Sequence, residues 1–300
     1  MSAITDKKKY LQPETVALLN SMELRARLVV EGYIIGLHRS PYHGFSVEFA
    51  EHRSYESGDE IRHIDWKLFG KTDRLYVKRY EEETNLRSHI ILDVSKSMLY
   101  ASNGISKLTY ANTLAASLSY LMINQQDAVG LVQFSENIKT IIPPKAKPSH
   151  LNLILTQLDD QKVGEDTKVG KILQEMADRI RKRGLIILIS DLFDDFKNIM
   201  KGLKHFRHLN QEVIVFHILD RKEFDFDFNT RTKFLDMETG EEIVTEPWHI
   251  RSNYNSLIQN LQEDYTKDCR EYKIDYVPIF TDQNLDTSLT AYFNRRRKLF

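Results

Sequence analysis

The stretch that decides the fold is Ile90-Ile91-Leu92-Asp93-Val94-Ser95-Lys96-Ser97-Met98. Its apolar half reads as a strand buried on both faces, and that strand ends abruptly in one carboxylate and two hydroxyls. Asp and Ser in a loop ordinarily cap the helix that follows. The density of oxygens here equally suits a hard cation such as Mg²⁺, which takes oxygen ligands and keeps part of its water shell. The remainder of the chain has to discriminate between a cap and a site.

Outward from this stretch the texture is α/β, with apolar runs alternating with helical periods from Ser88 onward. The periodicity predicts a helix over about 105–122 and two short strands, 127–134 and 138–142, joined by a hairpin turn at Ser135-Glu136-Asn137. A helix near 150–158 leads to the polar loop Lys162 to Thr167, and Asp166 and Thr167 read as caps of the next helix. Leu185 to Asp191 repeats the opening design, an apolar strand with a carboxylate at its C-terminal end. Val213 to Asp220 ends the same way, a pattern that also recurs without function. An aromatic and acidic insertion follows, with a hairpin turn at Thr239-Gly240. A helix over about 252–272, a strand over 274–280 and a last helix over about 286–296 complete the chain.

Upstream, 13–30 has a helical apolar stripe, and 32–80 is punctuated by Gly36, Gly44, Gly58 and Gly70 and reads as a small β-rich section. The expected organisation is therefore 1–85, an N-terminal helix and β-rich section, followed by 86–300, an α/β domain with an insertion near 222–248. Within the first part, Arg53, Tyr55, Gly58-Asp59, Arg62, Ile64-Asp65-Trp66 set unlike charges beside large aromatics. Alternation puts Arg62, Ile64 and Trp66 on one strand face, and the charges read either as ion pairs that fix this section or as a recognition face.

Composition excludes several classes. Lys plus Arg number 42 against 43 Asp plus Glu, so no nucleic-acid footprint is expected, and 41% apolar content supplies a sizeable core. The single Cys269 excludes an internal disulfide framework and fits core packing in a reducing compartment. The N-terminus has no apolar run and no long uninterrupted apolar stretch occurs, so a cytoplasmic chain without a membrane span is expected.

In an open parallel sheet, ligands gather beyond the carboxyl ends of strands where strand order reverses. Asp93 and Asp191 both stand at such ends, and neighbouring strands would let Ser95, Ser97 and Thr167 converge with them on one cation. The series Asp93-Val94-Ser95-Lys96-Ser97, Thr167, Asp191 resembles the metal-ion-dependent adhesion site of von Willebrand factor A-type domains. The Arg53 to Trp66 series resembles the bacterial domain-of-unknown-function family 58. The chain departs from the family pattern at Gly70-Lys71, where Ala-Arg is common, and at Glu165-Asp166, which stand in place of small residues and would modify the site.

The resemblance implies a mostly parallel sheet with helices on both faces, and a metal site of Asp93, Ser95, Ser97, Thr167 and Asp191 holding Mg²⁺ or Mn²⁺. It also implies a protein partner that offers a carboxylate to that metal. The expected function is a non-catalytic interaction module, an adaptor or co-chaperone for a MoxR-type AAA ATPase. The alternatives are a Mg²⁺-dependent phosphoester hydrolase and a metal-free structural interaction protein.

Overall fold

The computed structural model describes residues 13–19, 21–37, 52–54, 66–73, 75–78, 86–160, 163–164, 168–235 and 242–297. These residues form two compact units, one drawn from Met1–Ile35 with Leu86–Phe300 and the other from Gly36–Asn85. The division read from the sequence, 1–85 against 86–300, groups the N-terminal helices with the section after them. In the structure they pack with the larger unit, because Pro13 and Ala17 lie against Thr109, Tyr110 and Thr113.

The N-terminal helical stripe is broken into α1, Pro13–Ala17, and α2, Met22–Leu37. Leu18 is exposed at the break, and the Arg25 guanidinium donates to the carbonyls of Ala17 and Leu19 at 2.9 and 2.8 Å. Those carbonyls have no onward helix to bond them, so the arginine supplies the missing donors. Helix α2 runs through Gly32 and Gly36, further than the glycine punctuation suggests.

In the smaller unit, β1, His52–Ser54, pairs antiparallel with β2, Tyr76–Lys78, with Arg53 opposite Val77. Between them Trp66 opens α3, Trp66–Thr72, rather than continuing an alternating strand. Trp66, Leu68 and Phe69 follow a helical spacing, which overrides the alternation extrapolated from Arg62 and Ile64. Residues 61–65, and with them Arg62 and Asp65, lie outside the described residues, as do Tyr55 and Asp59.

The larger unit follows the expected α/β order. Strand β3, Arg87–Asp93, leads through a 3₁₀ turn, Lys96–Leu99, to α4, Lys107–Asn124. Strands β4, Ala128–Phe134, and β5, Ile138–Lys145, then form the hairpin around Ser135 to Asn137. Helices α5, Pro148–Asp159, and α6, Val169–Arg179, precede β6, Leu185–Ser190, α7, Phe196–His208, and β7, Glu212–Leu219. The insertion holds α8, Arg221–Asp225, and the antiparallel pair β8, Thr232–Leu235, and β9, Glu242–Thr245. Its predicted turn at Thr239-Gly240 lies outside the described residues. Helix α9, Pro247–Glu271, strand β10, Asp275–Phe280, and helix α10, Asp286–Arg297, end the unit.

The six-stranded sheet has the order β10-β7-β6-β3-β4-β5 and is parallel except for the edge strand β5. The mostly parallel α/β class read from the sequence is therefore observed. Centrality explains the apolar runs: Ile90 to Leu92 of β3 and Leu185 to Ile189 of β6 are fully buried because helices cover both sheet faces. Each such side chain contributes about 1.5–3 kcal/mol relative to exposure. At the edge, β5 alternates in burial and carries Pro143 and Pro144, residues that cannot donate to a further strand.

On one face Ile91, Val132 and Phe134 pack with Ile172, Leu173 and Met176 of α6, Leu203 and Phe206 of α7, and Tyr265 and Cys269 of α9. Cys269 is thus a core residue, as its context in the sequence suggests. On the other face α4 is buried along nearly its whole length. Three of its hydroxyls are satisfied within the helix, Thr113, Ser117 and Ser119 donating to the carbonyls four residues earlier at 2.9, 2.7 and 2.8 Å.

Helices α6 and α7 approach closely through Gly170 and Gly202. A Cβ at Gly202 would lie 2.5 Å from the Leu173 Cβ, and one at Gly170 would lie 2.6 Å from the Asn198 Cβ. Alanine gains about 1 kcal/mol over glycine in helix propensity, whereas overpacking costs about 1–3 kcal/mol. Gly202→Ala is expected to lower stability by up to about 2 kcal/mol net in urea unfolding.

His89 on β3 is pushed down to about 4, first by burial and then by the Arg87 charge, and its Nδ1 is buried with no hydrogen-bond partner among the described residues. A depressed folded-state pKa means that the unfolded chain binds the proton first, so stability present above pH 6.5 is lost as pH falls toward 4. His89→Leu leaves nothing newly unpaired. It is expected to flatten the pH dependence of urea midpoints between those limits.

Candidate functional site

The site is built where β3 and β6 lie side by side, at the point of the sheet where connections leave in opposite directions. Their ladder ends at Leu92 opposite Ile189, which puts Asp93 beside Ser190 and sets Asp191 just beyond the strand end. Parallel pairing thus brings together two carboxylates that are about a hundred residues apart in the chain.

Asp93 is fully buried, and each of its oxygens accepts a bond: Oδ1 from the Ser95 backbone N–H at 3.0 Å, and Oδ2 from the Ser190 hydroxyl at 2.7 Å. Burial and then the neighbouring Asp191 carboxylate push the Asp93 carboxyl well above the ordinary carboxylate range, against the pull of those bonds. The hydroxyls of Ser95 and Ser97 are 3.0 Å apart, and Ser97 also bonds the Asp191 carboxylate. Four of the five metal ligands read from the sequence therefore converge.

The fifth, Thr167, and the modifiers Glu165 and Asp166 lie outside the described residues. The residues flanking them are pinned: Gly164 donates to the Val94 carbonyl at 2.9 Å, and Lys168 donates to the Ser135 carbonyl at 3.4 Å. A Cβ at Gly164 would run into the Ser135 side chain, so glycine is required for this approach. The following helix, α6, has the caps read from the sequence, Asp166 and Thr167, outside the described residues. Lys168 stands at its N-cap without a side-chain bond, and the Asp194 carboxylate accepts from the Gly170 N–H at 3.0 Å.

Asp191 is held by two contacts that sequence reading missed, one from Lys107 and one from His217. The Lys107 ammonium, itself buried, donates to Asp191 Oδ2 at 2.8 Å and to Glu223 Oε2 at 2.9 Å. Burial works to raise the Asp191 pKa, and the Lys107 charge together with the hydrogen bonds from Lys107 and Ser97 outweighs it, so the carboxyl titrates below its usual range. His217 on β7 donates from Nε2 to the Asp191 carbonyl at 2.9 Å and accepts from the Tyr276 hydroxyl at 2.6 Å. Burial first of all pushes this imidazole down to about 4, keeping it neutral as that pattern requires. Leu192 follows with φ +54°, an uncommon value for leucine, and its N–H is taken by the Ser190 hydroxyl at 2.9 Å.

One signal for Lys107 was available in the sequence. A cation in the first turn of a helix opposes the helix dipole, and such a residue at a buried position calls for a carboxylate. Nothing comparable marks His217 or Ser190. Asp220, the third strand-end carboxylate, serves the fold, accepting from the Ser102 N–H and hydroxyl and from the N–H groups of Lys222 and Glu223.

The donor chemistry fits a hard divalent cation, because Asp93, Ser95, Ser97 and Asp191 present oxygen only. Among the described residues no group of three or more His, Cys, Asp or Glu is placed to hold a metal, and the oxygens gathered at this point are two carboxylates and two serine hydroxyls. The same donor set has one feature against tight binding, the ammonium already seated on Asp191.

Comparison with known proteins agrees with this architecture. The model of the family described as protein of unknown function DUF58 matches residues 51–264, a span that includes both the Arg53 to Trp66 series and the strand-end carboxylates. An uncharacterized protein of Mycobacterium bovis and one of Mycobacterium tuberculosis are each 21% identical over 293 residues, covering 95% of this chain and 91% of theirs. The crystal structure of a conserved hypothetical protein BatB from Bacteroides thetaiotaomicron is 19% identical, with a TM-score of 0.52, and covers 72% of this chain and all of its own. An aerotolerance-related membrane protein from Bacteroides fragilis gives the same identity and TM-score over 71% of this chain and 99% of its own. These structures show a shared fold. Among the described residues of this chain no helix is long and apolar enough to cross a membrane.

Ser190 ties the two strand ends together by donating to Asp93 and accepting from Leu192. Ser190→Ala leaves a buried carboxylate oxygen and a buried N–H each short of a partner. It is expected to lower stability by about 1–3 kcal/mol, measured by urea unfolding at neutral pH.

Proposed function

This chain belongs to the DUF58 family, and we propose that it is a non-catalytic interaction module whose β3–β6 edge holds Mg²⁺ or Mn²⁺ and takes a carboxylate from a partner protein. The observation that carries the reading is the convergence of Asp93, Ser95, Ser97 and Asp191 where the strand order reverses. Ser95, Ser97 and Thr167 would hold the metal directly, and Asp93 and Asp191 directly or through water. A cation bound there supplies a concentrated positive charge for an anionic side chain of the partner.

The chain's own residues prepare that encounter. Ser190 and the Ser95 N–H hold the Asp93 carboxylate in place, and His217 holds the main chain at Asp191. Leu99 and Phe193, which follow Ser97 and Asp191 on the two loops, are 42% and 63% exposed and offer apolar area beside the charged centre. The family resemblance extends the reading to a role as adaptor or co-chaperone of a MoxR-type AAA ATPase, with that ATPase or its client as the partner.

Calorimetric titration with Mg²⁺ and Mn²⁺ should give saturable heat with the wild-type chain and none with Asp93→Ala. Recovery of a MoxR-type ATPase from lysate of the same cell should fall at least about tenfold, a difference of about 1.4 kcal/mol, with the variant or with chelator. Equal recovery in all arms would overturn metal-dependent binding. Turnover of generic phosphoesters that vanishes with Asp191→Ala would instead establish a hydrolase.

A further inference from the structure

Lys107 is 2% exposed, yet it stands on the first turn of α4, where the helix dipole disfavours a cation. What holds it is a pair of carboxylates, Asp191 Oδ2 at 2.8 Å and Glu223 Oε2 at 2.9 Å, with the Tyr100 ring 5.8 Å below. The two carboxylates differ in what surrounds them. Asp191 belongs to the strand-end oxygen cluster, whereas Glu223 lies on α8, whose cap Asp220 is tied to Ser102. The ammonium therefore bridges the candidate metal site to a neighbouring element, and it does so on an oxygen that a metal would use.

Resting on the metal reading above, we propose that Lys107 sets the affinity of this site by competing with the divalent cation for Asp191, and that Glu223 retains the ammonium when the cation binds. With Asp93, Asp191 and Glu223 ionised, the lysine cancels one of three negative charges in a buried cluster. The affinity of oxygen sites for hard cations follows ligand charge count, and a fixed positive charge touching one ligand repels the incoming ion. Glu223 has the opposite effect. Its carboxylate draws the ammonium away from Asp191 and adds negative charge near the site. The wild-type arrangement is thus a weakened site that binds metal at the concentrations of an abundant cation and releases it readily.

Two substitutions shift metal affinity in opposite directions, which general structural damage would not do. Binding of Mn²⁺ to the full chain, followed by the loss of free-ion electron paramagnetic resonance signal, should tighten at least about tenfold in Lys107→Met and weaken several-fold in Glu223→Gln. Asp191→Ala should abolish binding alone and in combination with Lys107→Met. Removal of the lysine leaves buried carboxylates uncompensated, so Lys107→Met should also melt lower without metal and gain more from Mn²⁺ than the wild type. Equal Mn²⁺ affinity in the wild type and Lys107→Met, or tighter binding in Glu223→Gln, would overturn the role of Lys107 while leaving the metal reading intact. Absence of Mn²⁺ binding in the wild type and Lys107→Met alike would overturn both.

Discussion

Two carboxylates buried at one sheet edge impose the constraint on which this molecule is built. Asp93 and Asp191 come together because β3 and β6 are paired neighbours, and carboxylates so placed repel each other while each has lost its water. Burial of unpaired charge would be prohibitive, so the surrounding elements supply compensation. Ser190 and the Ser95 N–H attend to Asp93, and Lys107 attends to Asp191. The division of labour is asymmetric: Asp93 receives neutral donors and is raised, whereas Asp191 receives a cation and is lowered.

That asymmetry reaches into the rest of the fold. Lys107 begins the most deeply buried helix, α4, so the register of that helix against the sheet is tied to the charge balance at the edge. Glu223 and Asp220 extend the connection to α8 and to the loop at Ser102, and His217 extends it through Tyr276 to the edge strand β10. Groups far apart in the sequence, Lys107, Asp191, His217 and Glu223, act as one hydrogen-bonded arrangement.

The architecture was legible because its signals are local. Buried parallel strands read as unbroken apolar runs, and α6 and α7 repeat their apolar positions at helical spacing. Reading failed where a boundary depends on a distant donor. Arg25 closes α1 from the following helix, and Asp194, 24 residues further on, accepts from a first-turn N–H of α6. Trp66 shows a further kind of failure, in which alternation extrapolated from its neighbours gave way to a helix.

By itself the sequence determined which strands would be buried, that three of them would end in a carboxylate, and that Ser95 and Ser97 would follow the first of these, because periodicity and strand-end chemistry are written residue by residue. Only the tertiary structure decided that β3 and β6 are neighbours, that Ser190 rather than a helix N-terminus restrains Asp93, and that a lysine from α4 sits on Asp191. The reason is physical: burial of charge is compensated by whatever group the packing brings within reach, and reach across 84 residues of chain is a property of the fold.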